Sequence, residues 1–469
     1  MQLVVDAHPS GSVSRIGTVR QPQFSSRGAR PKRASGWRWT RAELAGAAER
    51  WAKEYFADAR ATARPRVVMS VPNGAEWFQV FLGLLSAGAV PAPIDPSEPE
   101  EAQIGAARAI GAALLWRGGR LQRVPGMGAR RAPRGECLVK VTSGTSGAPR
   151  ALGATDAQME ADGRQICAAM GIGPDDANLA LIPLGYSYGL GNLVLPLILQ
   201  GTRVICSASA LPHAVASDAK RHRPSVMPAV PPILRALATS ELAPGSLSSL
   251  RLVVSAGSPL APEVARLFLR RHGIRIHGFY GTSETGGIAF DRTGEATLSG
   301  RSVGPPLDGV RLSVRRDGVF SVSSPAVLGK GRFSPADRGE LNGLGELVLL
   351  GRTDRVVKVA GRRVDLAEVE QALRSLPGVN DAFVHAPAGG EPALAAAVAS
   401  RLPVAELRRL LRRRVAPWKM PRRILALARL PATARGKTDA RRLIQLLSAP
   451  LTATSISTLS SARQISAPR

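Results

Sequence analysis

From Trp37 onward, short apolar runs alternate with amphipathic stretches along the chain, a pattern that predicts strands and helices in turn. Thr40 precedes Glu43 at capping-box spacing, and Leu44, Ala47, Ala48 and Trp51 recur behind it on one helical face. Residues 67–71 read as a strand, 76–87 as a helix and 156–170 as a longer helix. The apolar run 77–94 approaches membrane-spanning length, but Gln79, Gly88, Pro91 and Pro93 interrupt it, so helix, turn and buried strand is the better reading. Residues 175–183 lead into a strand. Residues 226–237 predict a strand, a Pro-rich turn and a helix start, and 250–260 a strand running into a turn of small residues. Residues 310–314 and 319–322 flank Asp317-Gly318 as a hairpin. Beyond these, 382–384 and 393–398 read as strands and 404–414 as a basic amphipathic helix, so the fold class is α/β.

Length and composition refine this picture. The 469 residues exceed what one hydrophobic core supports and imply two or three domains. The net charge is +28, with only eight lysines among the 63 basic residues. The arginines are spread through every segment and are not interleaved with aromatics, which argues against a nucleic-acid role; the excess reads first as a general bias of composition and second as a match to anionic ligands such as ATP and CoA. Residues 1–36 are rich in Arg and Ser and poor in acid, like a transit peptide, but lack an apolar signal core; they read as a basic disordered leader. Residues 447–469 read as a disordered Ser/Thr-rich tail. Cys137, Cys167 and Cys206 form no C-x-x-C pair and sit near no histidine cluster, which points to buried thiols in a reducing compartment.

The candidate chemistry centres on residues 141–152, V-T-S-G-T-S-G-A-P-R-A-L. Glycines let successive backbone N–H groups turn onto one anion, and the hydroxyls of Thr142, Ser143, Thr145 and Ser146 add donors without bulk. With Gly144, Gly147 and Arg150, this makes a phosphate cradle whose spacing is not that of a Walker loop. Residues 278–287 read G-F-Y-G-T-S-E-T-G-G. There Tyr280 offers a face for a base, Ser283 a donor to phosphate, and Glu284 a hard carboxylate suited to Mg²⁺.

With residues 254–260 (V-S-A-G-S-P-L), 333–341 (F-S-P-A-D-R-G-E-L), 349–370 (L-L-G-R-T-D-R-V-V-K-V-A-G-R-R-V-D-L-A-E-V-E) and 430–439 (L-P-A-T-A-R-G-K-T-D), these motifs stand in the order found in the adenylate-forming enzymes. That superfamily comprises acyl-CoA ligases, luciferases and peptide-synthetase adenylation domains, and the resemblance covers residues 37–446. It implies a large AMP-binding domain at 37–353, built of stacked α/β sheets with a small β-barrel-like subdomain. A small mobile α+β lid is implied at 354–446, with its hinge at Asp354. By resemblance, Ala256, Gly257 and Ser258 line adenine, Asp337 and Arg352 serve the ribose or phosphate, and Lys437 catalyses adenylation. Gly361 and Arg363 border the pantetheine path, Tyr186 and Tyr188 stand near the acyl pocket, and Gly281 leaves that pocket deep.

The sequence departs from the family pattern at several points. Arg150 replaces a lysine, Ser146 a common threonine, and Pro335-Ala336 the usual T-G before Asp337. The pocket histidine is missing and the part before the phosphate loop is short. The implied activity is that of a cytoplasmic, ATP- and Mg²⁺-dependent ligase joining a carboxylic acid, aryl or medium-chain, to CoA. Two alternatives stay open: an acyl carrier protein as acceptor, and a catalytically degenerate homologue acting as a binding or scaffold protein.

Overall fold

The computed structural model describes residues 3–6, 37–56, 64–128, 130–143, 149–352, 355–359, 362–386, 394–433 and 438–448. The chain divides into two compact units, Met1–Pro335 with Gly339–Leu349, and Ala336–Arg338 with Leu350–Arg469. The division runs through a hairpin of two strands, Asp337–Leu341 and Leu347–Arg352.

The first unit is built on an eight-stranded sheet among the described residues. Its order is Gly286–Phe290, Ile276–Thr282, Leu252–Ser255, Val226–Ala229, Ala177–Ala180, Arg203–Cys206, Leu3–Asp6 and Trp37–Thr40. The strands from Ile276–Thr282 through Arg203–Cys206 run parallel and are joined through helices, as strand–helix alternation requires. Leu3–Asp6 falls inside the stretch expected as a leader, yet pairs antiparallel with Arg203–Cys206. The remainder of that leader and the Ser/Thr-rich tail from residue 449 lie outside the described residues. A second sheet orders Val90–Pro93, Arg66–Ser70, Leu114–Arg117 and Arg120–Arg123. The small β subdomain is a three-stranded sheet of Arg311–Val314, Phe320–Ser323 and Arg332–Phe333. Its first turn closes where Asp317-Gly318 predicts, with Arg315 N–H donating to the Val319 carbonyl at 2.9 Å.

Local signals set the helix boundaries. Glu43 accepts from the Thr40 N–H at 2.7 Å, while the Thr40 hydroxyl accepts from the Glu43 N–H at 3.2 Å, starting the helix Arg41–Phe56. Thr155 and Gln158 form the same reciprocal box before Asp156–Met170, and Gly171 ends that helix in the left-handed conformation. Trp77 and Phe81 stack at 4.8 Å in the core between the two sheets. Cys137, Cys167 and Cys206 are buried free thiols, pushed up to about 12, 11 and 12 by desolvation. That makes them inert packing groups.

The second unit is α+β. Strands Val379–His385, Ala395–Ser400 and Arg423–Leu427 form a sheet, packed by helices Leu366–Arg374 and Val404–Leu411 over their own apolar cluster. A separate hairpin pairs Val356–Val359 with Arg362–Asp365.

A charged network secures the end of the first unit. Glu346 takes a two-pronged contact from Arg301 at 3.0 and 3.2 Å, with Ser302 and Asn342 donating at 2.8 and 3.0 Å. The Arg301 guanidinium holds this carboxyl down at about 2, against an ordinary 4.5. A carboxyl lowered on folding adds stability that is complete above about pH 4.5 and is lost as pH falls toward 2. Glu346→Gln therefore unfolds at lower denaturant than the native chain at pH 7, and the gap between the two midpoints narrows steadily from pH 4.5 downward; a pH-independent gap would remove the ion pair as its cause.

Candidate active site

The site is built on two neighbouring parallel strands, Leu252–Ser255 and Ile276–Thr282, with Ser255 opposite Gly278. Both end on the same edge, where a parallel sheet presents ligand-binding turns. The first strand runs into buried Ala256 and exposed Gly257 and Ser258. The second carries half-buried Tyr280 and opens into the turn holding Ser283 and Glu284.

Thr285, fully buried, fastens that turn. Its hydroxyl accepts from the Thr282 N–H at 3.2 Å, contacts the Thr282 hydroxyl at 3.0 Å and donates to the Gly286 carbonyl at 3.0 Å. The Glu284 carbonyl accepts from the Leu328 N–H at 2.8 Å. No hydrogen bond or ion pair among the described residues engages the Glu284 carboxylate. An uncommitted, half-buried carboxylate suits Mg²⁺, which takes one or two protein carboxylates and completes its shell with phosphate and water. Among the described residues no cluster of three or more His, Cys, Asp or Glu could hold a metal by itself. The Ser283 hydroxyl accepts from the Ser187 hydroxyl at 2.9 Å.

The expected phosphate loop spans the two arms of a hairpin, Glu136–Ser143 and Pro149–Thr155, in which Thr142 pairs with Arg150 and Ser143 with Pro149. Thr142 is half-buried and Arg150 exposed. Gly144, Thr145, Ser146 and Gly147 lie outside the described residues. The root of the hairpin is clamped by Arg66, whose guanidinium makes two 2.7 Å contacts to the Glu136 carboxylate.

Higher on the same strand, Lys140 is 3 % exposed and its Nζ lies 3.5 Å from the Ser283 carbonyl oxygen. Asp162, also 3 % exposed, accepts from the Gly287 N–H at 2.9 Å. Burial pushes the Lys140 ammonium down and the Asp162 carboxyl up from their ordinary values, while their mutual attraction opposes both shifts. Neither residue stands out in the motif reading, nor does Ser187. The available signal is a lysine at an inward position of an otherwise apolar strand.

Tyr186 and Tyr188 have structural partners. Tyr186 donates to Asp95 at 2.6 Å, and Tyr188 donates to the Val254 carbonyl at 3.0 Å while its ring stacks on Phe279. Burial raises the Tyr188 phenol well above its usual range. Gly281, expected to leave the acyl pocket deep, lies in a crowded stretch of backbone. A Cβ built there would stand 2.4 Å from the Gly286 carbonyl oxygen, at a bulge where the two antiparallel strands close up. A side chain at this position would require the backbone at Gly286 to shift.

In the second unit, Arg352 Nη1 lies 3.8 Å from Asp337 Oδ1 across their hairpin. Arg363 sits on the strand Arg362–Asp365, opposite Lys358. Asp354, Gly361 and Lys437 lie outside the described residues.

Comparison with known proteins matches the family model of AMP-binding enzymes over residues 129–321, and the C-terminal domain of the same enzymes over residues 368–437. The chain belongs to the adenylate-forming, AMP-binding enzyme superfamily. ATP and Mg²⁺ are the reagents of this superfamily, and its CoA ligases take CoA as acceptor. A 2-hydroxy-7-methoxy-5-methyl-1-naphthoate–CoA ligase from Streptomyces carzinostaticus is 28% identical over 67% of this chain, a match spanning 63% of that relative's length. An L-proline–[L-prolyl-carrier protein] ligase from Streptomyces coelicolor is 26% identical over 70% of this chain and 68% of its own. ATP-bound MatB from Rhodopseudomonas palustris superposes with a TM-score of 0.74 at 19% identity, over 86% of this chain and 93% of its own, a likeness of fold. No described helix is long and apolar enough to cross a membrane.

The steric role of Gly281 is testable without turnover. Gly281→Ala is expected to lower stability by about 1–3 kcal/mol, the usual range for an inserted methyl with no room, seen as an earlier denaturant midpoint; an unchanged midpoint would mean that the bulge opens freely.

Proposed function

We propose that the chain is an ATP-dependent carboxylic acid–CoA ligase. The observation that carries this reading is the Lys140–Ser283 contact at 3.5 Å. It joins the strand entering the phosphate-loop hairpin to the turn bearing Ser283 and Glu284. Two motifs far apart in sequence are thereby held against each other, as one nucleotide site needs.

In this reading a carboxylate oxygen attacks the α-phosphorus of ATP, pyrophosphate departs, and an acyl adenylate remains. A thiol then attacks the acyl carbon and AMP leaves. The first step brings two anions together, so the site must neutralise charge and hold the attack in line. Ser283 donates to the α-phosphate, and Thr142 to Gly147 with Arg150 retain the departing phosphates. Ala256, Gly257, Ser258 and Tyr280 enclose the adenine, while Asp337 and Arg352 serve the ribose. Mg²⁺, when held by Glu284, draws negative charge from the phosphate oxygens.

Lys437 supplies the ammonium that bridges carboxylate and phosphate. The large domain 37–353 and the lid 354–446 pivot at Asp354, so that Gly361 and Arg363 later border the thiol's path. Tyr186 and Tyr188 stand at the acyl side. An aryl acid is the favoured substrate class, supported by the naphthoate named for the Streptomyces carzinostaticus relative.

A second reading, with a carrier-protein phosphopantetheine as acceptor, is supported by the prolyl-carrier relative. Acid-dependent hydroxamate formation with ATP, run beside thioester formation on free CoA and on a holo-carrier protein, separates the two acceptors. Absence of any acid-dependent pyrophosphate release would discard both and leave a non-catalytic homologue.

Two substitutions divide the half-reactions. Lys437→Ala abolishes adenylate formation but spares thioester formation from a supplied acyl adenylate; equal loss of both contradicts the assigned role. Gly361→Leu does the reverse, and a normal thioester yield in that variant takes Gly361 off the thiol's path.

A further inference from the structure

Inward-facing residues of the strand Glu136–Ser143 fall into two sets. Val139 and Val141 join the apolar cluster of the second sheet. Leu138, Lys140 and Thr142 share the opposite face, by the two-residue period of a strand. Lys140 therefore stands one pleat below Thr142, where the phosphate loop begins. Its ammonium has three donors, is almost wholly buried, and among the described residues meets one acceptor, the Ser283 carbonyl, at a long 3.5 Å.

The carboxylates that attract it are Asp162 and Glu284. Asp162 braces the far side of the same turn. It binds the Gly287 N–H, and a Cβ on Gly286, which has φ +69°, would stand 2.3 Å from Asp162 Oδ1. The turn carrying Ser283 and Glu284 is thus gripped between a buried cation and a buried anion.

Stability alone gives little reason for this arrangement. A buried ammonium costs several kcal/mol unless paired with good geometry. No ion pair within 4 Å joins Lys140 to Asp162 among the described residues, and methionine would fill a similar volume without charge.

We propose that Lys140, backed by Asp162, is a positioning residue of the nucleotide site. It fixes the Ser283 carbonyl, and with it the turn on which Glu284 is presented to the nucleotide's metal. This rests on the reading of Ser283 and Glu284 given above. Asp162 holds the other end of the same turn through the Gly287 N–H.

The test is equilibrium binding of ATP to the full-length protein by calorimetry, with Mg²⁺ and with EDTA, beside denaturant unfolding. Lys140→Met is expected to unfold at or above the native midpoint yet bind ATP with Mg²⁺ about tenfold more weakly, the scale of losing a partner that orients a metal ligand. In EDTA the loss disappears. Asp162→Asn keeps an acceptor for the Gly287 N–H and removes the buried negative charge from the far side of the turn. It is expected to raise the Mg²⁺ concentration for half-maximal ATP binding by several-fold, and this arm stands even if Lys140→Met does not fold. Variants whose Mg²⁺ dependence equals the native protein's overturn the inference alone, as does parallel loss of stability and of binding in EDTA. A native protein that binds no ATP overturns the reading of Ser283 and Glu284 itself.

Discussion

One short turn, where two parallel strands of the first unit end, is fastened from several sides, and the candidate site depends on it. Strand ends release backbone donors and acceptors that the ladder no longer pairs, and a polar turn in such a place is held only if its groups find partners. Here Thr285 supplies them from inside the turn, while Ser187, Lys140 and Asp162 supply them from three other elements. The result is a serine hydroxyl and a carboxylate carried on a backbone that is tied from several directions. In the ligase reading proposed above, preorganised groups of this kind are what a reaction between two anions requires.

The same constraint accounts for the glycines around the turn. Gly281 lies where antiparallel strands close through a bulge, and Gly286 lies against Asp162. They mark the space that the supporting backbone and carboxylate occupy. The tyrosines near Ser187 are likewise committed: Tyr188 caps two strand ends and Tyr186 is held by Asp95. In this segment packing and site construction use the same side chains, which is why residue type alone cannot divide them.

Charge follows a similar logic. The large arginine excess, which invites thoughts of polyanions, is partly spent on internal fastening, as in the Arg66–Glu136 fork and the Arg251–Asp176 pair with contacts of 2.8 and 2.6 Å. Arg66 anchors the hairpin that carries the expected phosphate loop, and Arg251 joins the start of one central strand to the loop before another. These are bidentate contacts between groups partly withdrawn from water, where an arginine fork is worth more than on an open surface.

Read without coordinates, the sequence determined whatever depends on near neighbours. The capping boxes at Thr40 and Thr155, the hairpin at Asp317-Gly318, the α/β class and the order of motifs all follow from spacings of a few residues, where backbone preference and local hydrogen bonds decide. Candidate residues such as Ser283, Glu284 and Thr142 were legible because each lies in a continuous motif. Lys140, Asp162 and Ser187 were not, because they reach the turn across 143, 125 and 96 residues of chain. Only the folded sheet brings such distant residues together. Tertiary structure alone also brings the backbone of Gly286 against Gly281, an approach set by the pairing of two strands and not by the letters around either residue.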